Sequence, residues 1–140
     1  MASVAKIASA VERVSIAGQK LAAKSGRPFP LALSPVEKNL PTSHLIEYVN
    51  TNRSELLHGA LTHGAVLLRG WTETTPEEFA DVAGALNLQK FPYVGGAAPR
   101  TNVVRDVVFT TNESPPSEPI PFHHEMAQCP IPPIAEGGSQ

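Results

Sequence analysis

The chain has 140 residues, of which 41% are apolar, and a formal net charge of −2 at pH 7. This length and apolar content suffice for one domain with its own core, which excludes wholesale disorder. The small negative charge, without a basic cluster, argues against nucleic acid and against a membrane as partners. The chain has one cysteine, Cys129, which cannot form an internal disulfide, so a reducing compartment such as the cytoplasm is predicted.

Residues 1–27 form a basic segment in which apolar residues recur at helical spacing, and a helix is predicted over 3–23. Lys24-Ser25-Gly26, a basic turn followed by glycine, is typical of a helix C-terminus. Two interpretations of 1–27 stay open. It is either an N-terminal surface helix or, because it is amphipathic and poor in acids, a transit segment for a plastid or mitochondrion.

The next part of the chain alternates extended and helical patterns. Residues 27–40 are punctuated by proline and are predicted to be extended. A helix is predicted from residue 41 to Gly64, because apolar residues keep helical spacing with a break only near 50–54. The short apolar run Ala65–Leu68 lies between two glycines and predicts a buried strand.

The next predicted helix has a complete start signature. Thr75 is the predicted N-cap, Pro76 occupies the first helical position, and Glu78 completes a capping box. Asn87 is the predicted C-cap. The apolar face of this helix is predicted to consist of Phe79, Val82, Ala83 and Leu86.

The last third of the chain is predicted to contain strands and loops. A small-residue loop around Gly95 is followed by Arg100, which is either a surface residue or a side chain that pairs with a substrate carboxylate. Residues 103–109 are β-branched and predict one strand. A proline-rich loop that includes Asn112 follows, so the predicted fold class is α+β, with helices early and strands late.

The candidate metal-binding motif is His123-x-Glu125. In an extended backbone, side chains two positions apart leave on the same face, so this imidazole and carboxylate could hold one cation. They would supply two of the three ligands in the 2-His-1-carboxylate arrangement that binds non-haem Fe(II). No histidine follows His124, so the third ligand is missing from this sequence.

Other candidate ligands have weaker patterns. His124 should point away from its two neighbours, toward solvent or a supporting contact. A zinc site formed by His123, Glu125 and Cys129 is an open alternative, although its spacing matches no common zinc pattern. The three remaining histidines are predicted to be surface residues on or beside the long helix: His44, His58 and His63.

Four segments between Pro28 and Gln128 resemble the N-terminal half of the clavaminate synthase-like group, in the taurine dioxygenase (TauD/TfdA) superfamily of Fe(II)- and 2-oxoglutarate-dependent oxygenases. They are Gly64–Gly70 (GAVLLRG), Thr75–Phe79 (TPEEF), Tyr93–Arg100 (YVGGAAPR) and Phe109–Gln128 (FTTNESPPSEPIPFHHEMAQ). The last of these segments is long and specific. Residues 28–140 are therefore expected to form a partial oxygenase domain.

The resemblance implies a double-stranded β-helix, or jelly-roll, fold with flanking helices. It implies that His123 and Glu125 bind iron, and that 2-oxoglutarate is a cosubstrate in the oxidation of a small molecule. Asn112 and Arg100 are the candidate contacts to substrate or cosubstrate. The family's chemistry is oxidative decarboxylation of 2-oxoglutarate to succinate and CO₂, coupled to attack on a substrate C–H bond.

The chain departs from the family pattern after Gln128. Family members continue with a long apolar strand and a Gly-Gly-acid-Thr turn, whereas here Gly137-Gly138 are followed by Ser139 and Gln140. The family's distal histidine and 2-oxoglutarate-binding arginine have no counterpart. These departures predict a truncated product that is inactive alone. The alternative is a non-catalytic binding module that associates with itself or with a homologue through open strand edges.

Overall fold

The computed structural model describes residues 11–72, 74–89, 100–110, 115, 117–119 and 121–122. The chain divides into two compact units, Met1–Asn87 and Leu88–Gln140. In chain order the elements are β1 (Val11–Arg13), β2 (Lys20–Leu21), β3 (Pro28–Phe29), β4 (Leu31–Pro35), α1 (Thr42–Thr51), α2 (Arg53–His63), β5 (Val66–Leu68), α3 (Pro76–Ala85), β6 (Asn102–Val104) and β7 (Val108–Phe109).

The main sheet of the first unit has the strand order β1-β4-β5. The central strand β4 runs antiparallel to β1 and parallel to β5. Parallel strands need a crossover connection, which α1 and α2 provide between β4 and β5. Every residue of β4 is buried, as expected for a strand covered on both faces.

The core of this unit lies between the sheet and the helices. Its buried members are Leu31, Leu33, Leu45, Val49 and Leu56, and Val49 is completely inaccessible to solvent. Helix α2 approaches the sheet closely at Gly59, where a Cβ atom would lie 3.2 Å from both Leu31 Cδ2 and Val66 Cγ2. A larger residue there would have to displace side chains of the packed core.

Several local predictions are confirmed. The predicted helix between residue 41 and Gly64 is present as α1 and α2, which meet at Asn52 within the predicted break. Gly64 ends α2 with φ +85°, a left-handed conformation that glycine adopts without steric cost. Thr75 and Glu78 form the predicted capping box of α3. In the ranges that the structure describes, no helix combines the length and apolarity needed to cross a membrane.

The predicted helix over residues 3–23 is wrong where the structure describes it. Residues 11–13 form β1, which pairs with β4, and β2 pairs with β3 in a two-stranded hairpin. Lys24-Ser25-Gly26 belongs to the connection within this hairpin rather than to a helix end. Strand pairing overrides the helical spacing of the apolar residues.

Burial on two elements also differs from the prediction. Phe79, expected on the apolar face of α3, is 56% exposed, and the buried residue of this helix is Ala80. Val82 and Leu86 do pack against the core, as predicted. Strand β5 is half-buried rather than buried, because it lies at an edge of the sheet among the described strands.

The single strand predicted over residues 103–109 is wrong, since these residues form the β6-β7 hairpin of the second unit. Arg105 and Asp106 have φ values of 48° and 54°, the two positive values that a type I′ turn requires. The Val107 N–H donates to the Val104 carbonyl across this turn at 2.9 Å. The β-branched composition correctly indicates strand, but it does not reveal the reversal of the chain.

Candidate functional site

The predicted iron ligands, His123 and Glu125, lie outside the described residues, as do His124, Asn112 and Cys129. Their assignment therefore remains a prediction from the sequence. Among the residues that the structure does describe, no group of three or more histidine, cysteine or acidic side chains is placed to hold a metal ion.

Arg100 is described and is exposed, immediately before the β6-β7 hairpin. The Thr110 N–H donates to the Thr101 carbonyl at 2.9 Å, and the Thr101 N–H donates to Thr110 Oγ1 at 2.9 Å. These bonds close the open end of the hairpin. Arg100 therefore lies at the open end of the hairpin, next to Thr101 and Thr110.

The three histidines of the first unit occupy different environments. His58 is exposed on α2, as predicted. His44 is half-buried on α1, and its Nδ1 has no hydrogen-bond partner among the described residues. The surface prediction is wrong for His63, which is only 4% exposed. Its Nδ1 lies 2.7 Å from the Pro28 carbonyl oxygen, so Nδ1 carries the hydrogen and donates it.

His63 lines a cavity of about 320 Å³ within the first unit. The cavity lies between α2 and the face of the sheet formed by β1 and β4. Arg13 is paired with Leu33 across these strands, so both side chains are on this face. Four apolar and four polar side chains of the lining determine its chemistry: Val11, Leu31, Leu33, Leu56, Arg13, Arg27, Glu55 and His63.

This cavity is not predicted by the sequence. Arg13 and Arg27 fall in a segment whose spacing indicates a helix or a transit segment, and nothing local indicates that β1 pairs with β4. The one available signal is the apolar run Leu31–Leu33, which marks a buried strand but does not specify its partner.

Tyr48 also lines the cavity, and its ring is tilted against Trp71 with centroids 6.2 Å apart. Burial raises the pKa of Tyr48 above its ordinary value of 10.0, and the negative charge of Glu55 raises it further. Tyr48 is therefore a neutral hydroxyl, able to donate a hydrogen bond, throughout the physiological pH range.

We expect the Tyr48 hydroxyl to make stability depend on pH above pH 10. The pKa of Tyr48 is higher in the folded state than its ordinary value of 10.0, which applies to the unfolded chain. The contribution of Tyr48 to stability is therefore complete below pH 10.0 and is lost as the pH rises through the folded-state pKa. Urea unfolding of the wild-type chain should therefore show a steeper loss of unfolding free energy as the pH rises above 10.0 than Tyr48→Phe shows. Identical slopes would contradict the burial of the hydroxyl beside Glu55.

A clavaminate synthase-like protein of Arabidopsis thaliana is 46% identical to the chain over 110 residues. The aligned part covers 73% of the chain and 32% of the Arabidopsis protein, so the chain spans about a third of the length of this relative. No family model matches the chain. Identity at this level over most of the chain is consistent with the segment resemblance, and the chain therefore belongs to the clavaminate synthase-like group.

Proposed function

We propose that the chain is part of an Fe(II)- and 2-oxoglutarate-dependent dioxygenase that oxidises a small molecule. The observation that carries this proposal is a His-x-Glu pair in a chain 46% identical to a clavaminate synthase-like protein. His123 and Glu125 are the proposed iron ligands. The proposed fold of the whole domain is a jelly roll, and the segment resemblance supports this proposal.

The donor set suits ferrous iron. A neutral imidazole and a carboxylate are the ligand types of the 2-His-1-carboxylate site, which leaves positions open for cosubstrate and oxygen. Bound iron would supply the oxidative chemistry, with 2-oxoglutarate as cosubstrate. The residues of this chain bind and orient: His123 and Glu125 hold the cation, while Arg100 and Asn112 are proposed to contact the substrate or the 2-oxoglutarate carboxylates.

The 140 residues by themselves are proposed to be catalytically inactive. They contain no histidine after His124 to act as the third ligand and no arginine after Arg105 to bind 2-oxoglutarate from the distal side. Succinate released at enzymatic rates from 2-oxoglutarate by the isolated 140-residue chain, with Fe(II) and ascorbate, would refute this part of the proposal.

Iron binding tests the assignment of the ligands. Anaerobic calorimetric titration with Fe(II) should show binding to the wild-type chain, and His123→Ala and Glu125→Ala should each weaken it by about tenfold or more. The physical reason is that each substitution removes one of the two protein donors.

His124→Ala is the matched control, because it removes an imidazole that should point away from the cation, and we expect a change of less than about threefold. Equal losses in His123→Ala and His124→Ala would contradict the assignment. If the purified wild-type chain retained zinc and Cys129→Ala did not, that result would instead favour the alternative site formed by His123, Glu125 and Cys129.

A further inference from the structure

We propose that the cavity between α2 and the sheet binds a small hydroxylated organic acid. The carboxylate would pair with Arg13 and Arg27, the apolar body would lie on the aliphatic residues of the sheet and α2, and the hydroxyl would donate to His63 Nε2. All described lining residues belong to the first unit, so this inference does not depend on the iron proposal.

Two arginines provide the anion-binding character. Arg13 and Arg27 line the cavity, and neither guanidinium group forms a hydrogen bond or ion pair with any described residue. A planar guanidinium matches a carboxylate geometrically and can bind it through two parallel hydrogen bonds. With Glu55 as the acidic group among the lining residues, the cavity carries a net charge of about +1 when its histidines are neutral. A monoanion compensates this charge, whereas a multiply charged phosphate would leave uncompensated negative charge against the apolar lining.

His63 provides a polar group that lacks a partner within a largely buried ring. The residue is 4% exposed, and Nδ1–H is committed to the Pro28 carbonyl. In the neutral ring Nε2 is then an acceptor, and it has no hydrogen bond to any described residue. This nitrogen is not among the buried polar atoms without a partner in the described residues, so it keeps some accessible surface, and a ligand hydroxyl in the cavity could donate to it. The hydrogen bond from His63 to the Pro28 carbonyl also holds Pro28 against α2. Arg27 directly precedes Pro28 and is therefore kept close to the cavity.

The apolar lining determines the rest of the ligand. Val11, Leu31, Leu33 and Leu56 contribute aliphatic surface on the sheet and α2. A volume of about 320 Å³ is at the lower end of the range for small-molecule sites, which combine a mainly apolar wall with a few oriented polar groups. A single aromatic ring with an acidic side chain fits this description.

Para-hydroxyphenylacetate is the probe, and calorimetric or NMR titration of the 140-residue chain is the measurement. We expect a Kd of about 1 mM or tighter for a ligand of this size. Phenylacetate lacks the hydroxyl and para-hydroxyphenylacetamide lacks the charge, so each should bind about tenfold more weakly. Inorganic phosphate should bind more weakly than para-hydroxyphenylacetate.

Substitutions test separately the proposed contact of the ligand carboxylate with the arginines and that of the ligand hydroxyl with His63. Arg13→Gln and Arg27→Gln should each weaken the binding of para-hydroxyphenylacetate by about tenfold. The control is Arg69→Gln, which removes the same charge outside the cavity lining and should leave the affinity unchanged. His63→Asn keeps an N–H donor near Nδ1 but has no Nε2, so it should abolish the preference for the hydroxylated acid. Near-UV circular dichroism checks folding of each variant.

The inference is overturned if the wild-type chain shows no binding up to about 10 mM, a limit well above the expected Kd. Equal affinity for the acid and its amide, or equal loss in Arg69→Gln and the two cavity variants, would also overturn it. If His63→Asn fails to fold, the comparison of the two acids on the wild-type chain still decides the hydroxyl contact.

Discussion

Val49→Asp should unfold the first unit. Val49 is 0% exposed on α1 and lies in the buried cluster with Leu33, Leu45 and Leu56. A carboxylate at this position has no hydrogen-bonding partner among the core members and must either stay charged without water or take up a proton. We expect a loss of more than about 4 kcal/mol in unfolding free energy, most of the stability of a small domain. Urea unfolding and the near-UV signal of Trp71 measure it.

Leu61→Asp is the matched control, because it introduces the same charge in place of another aliphatic residue on a helix. Leu61 is 86% exposed, so its substitution removes little buried surface. It lies in the last turn of α2, where a negative charge opposes the helix dipole, and we expect a loss of about 1 kcal/mol or less. Similar losses in the two variants would show that Val49 is not a core residue.

This pair also shows what helical spacing predicts and what it leaves open. Val49 and Leu61 both contribute to the apolar pattern that predicts the helices α1 and α2. Spacing identifies a helix and its approximate face, but Leu61 lies at the end of α2 where it lines an open pocket with residues of the β2-β3 hairpin, and it stays 86% exposed. Which part of an apolar face is covered depends on tertiary contacts that the pattern does not contain.

Features with local causes can be predicted well. The capping box at Thr75 and Glu78 and the left-handed glycine at Gly64 each depend on neighbouring residues only. The sequence-based predictions are wrong where pairing between distant segments determines the secondary structure. Residues 11–13, for example, form a strand because they pair with β4. The turn at Arg105-Asp106 escapes prediction because neither residue is the glycine or asparagine that usually marks a type I′ turn.

The candidate sites differ in the same way. His123-x-Glu125 is a local motif, so its chemistry can be predicted from residue types and spacing alone. The cavity brings together Arg13, Arg27 and His63 from β1, the residue before β3, and the end of α2. No spacing rule connects these three residues, since their proximity depends on the register of β1 against β4 and on the hydrogen bond from His63 to Pro28.

Gly70→Ala should destabilise the first unit by about 2–4 kcal/mol. Gly70 has φ +89°, which strains any residue with a side chain, and an added Cβ would lie 2.6 Å from Ser34 Oγ and 3.3 Å from Pro35 Cδ. Ser34 is 5% exposed on the central strand, so its side chain has little room to move away. Urea unfolding of the variant measures the combined effect of strain and overlap.

Two comparisons separate these contributions. Gly18 has φ +73° but an added Cβ there would meet no heavy atom within 4 Å, so Gly18→Ala should show only the backbone strain, about 1 kcal/mol. In a Ser34→Ala background the 2.6 Å overlap is removed and the nearest contact becomes Pro35 Cδ at 3.3 Å, so the cost of Gly70→Ala should fall toward that of Gly18→Ala. An unchanged cost in that background would mean that backbone strain, rather than contact with β4, is what requires glycine at position 70.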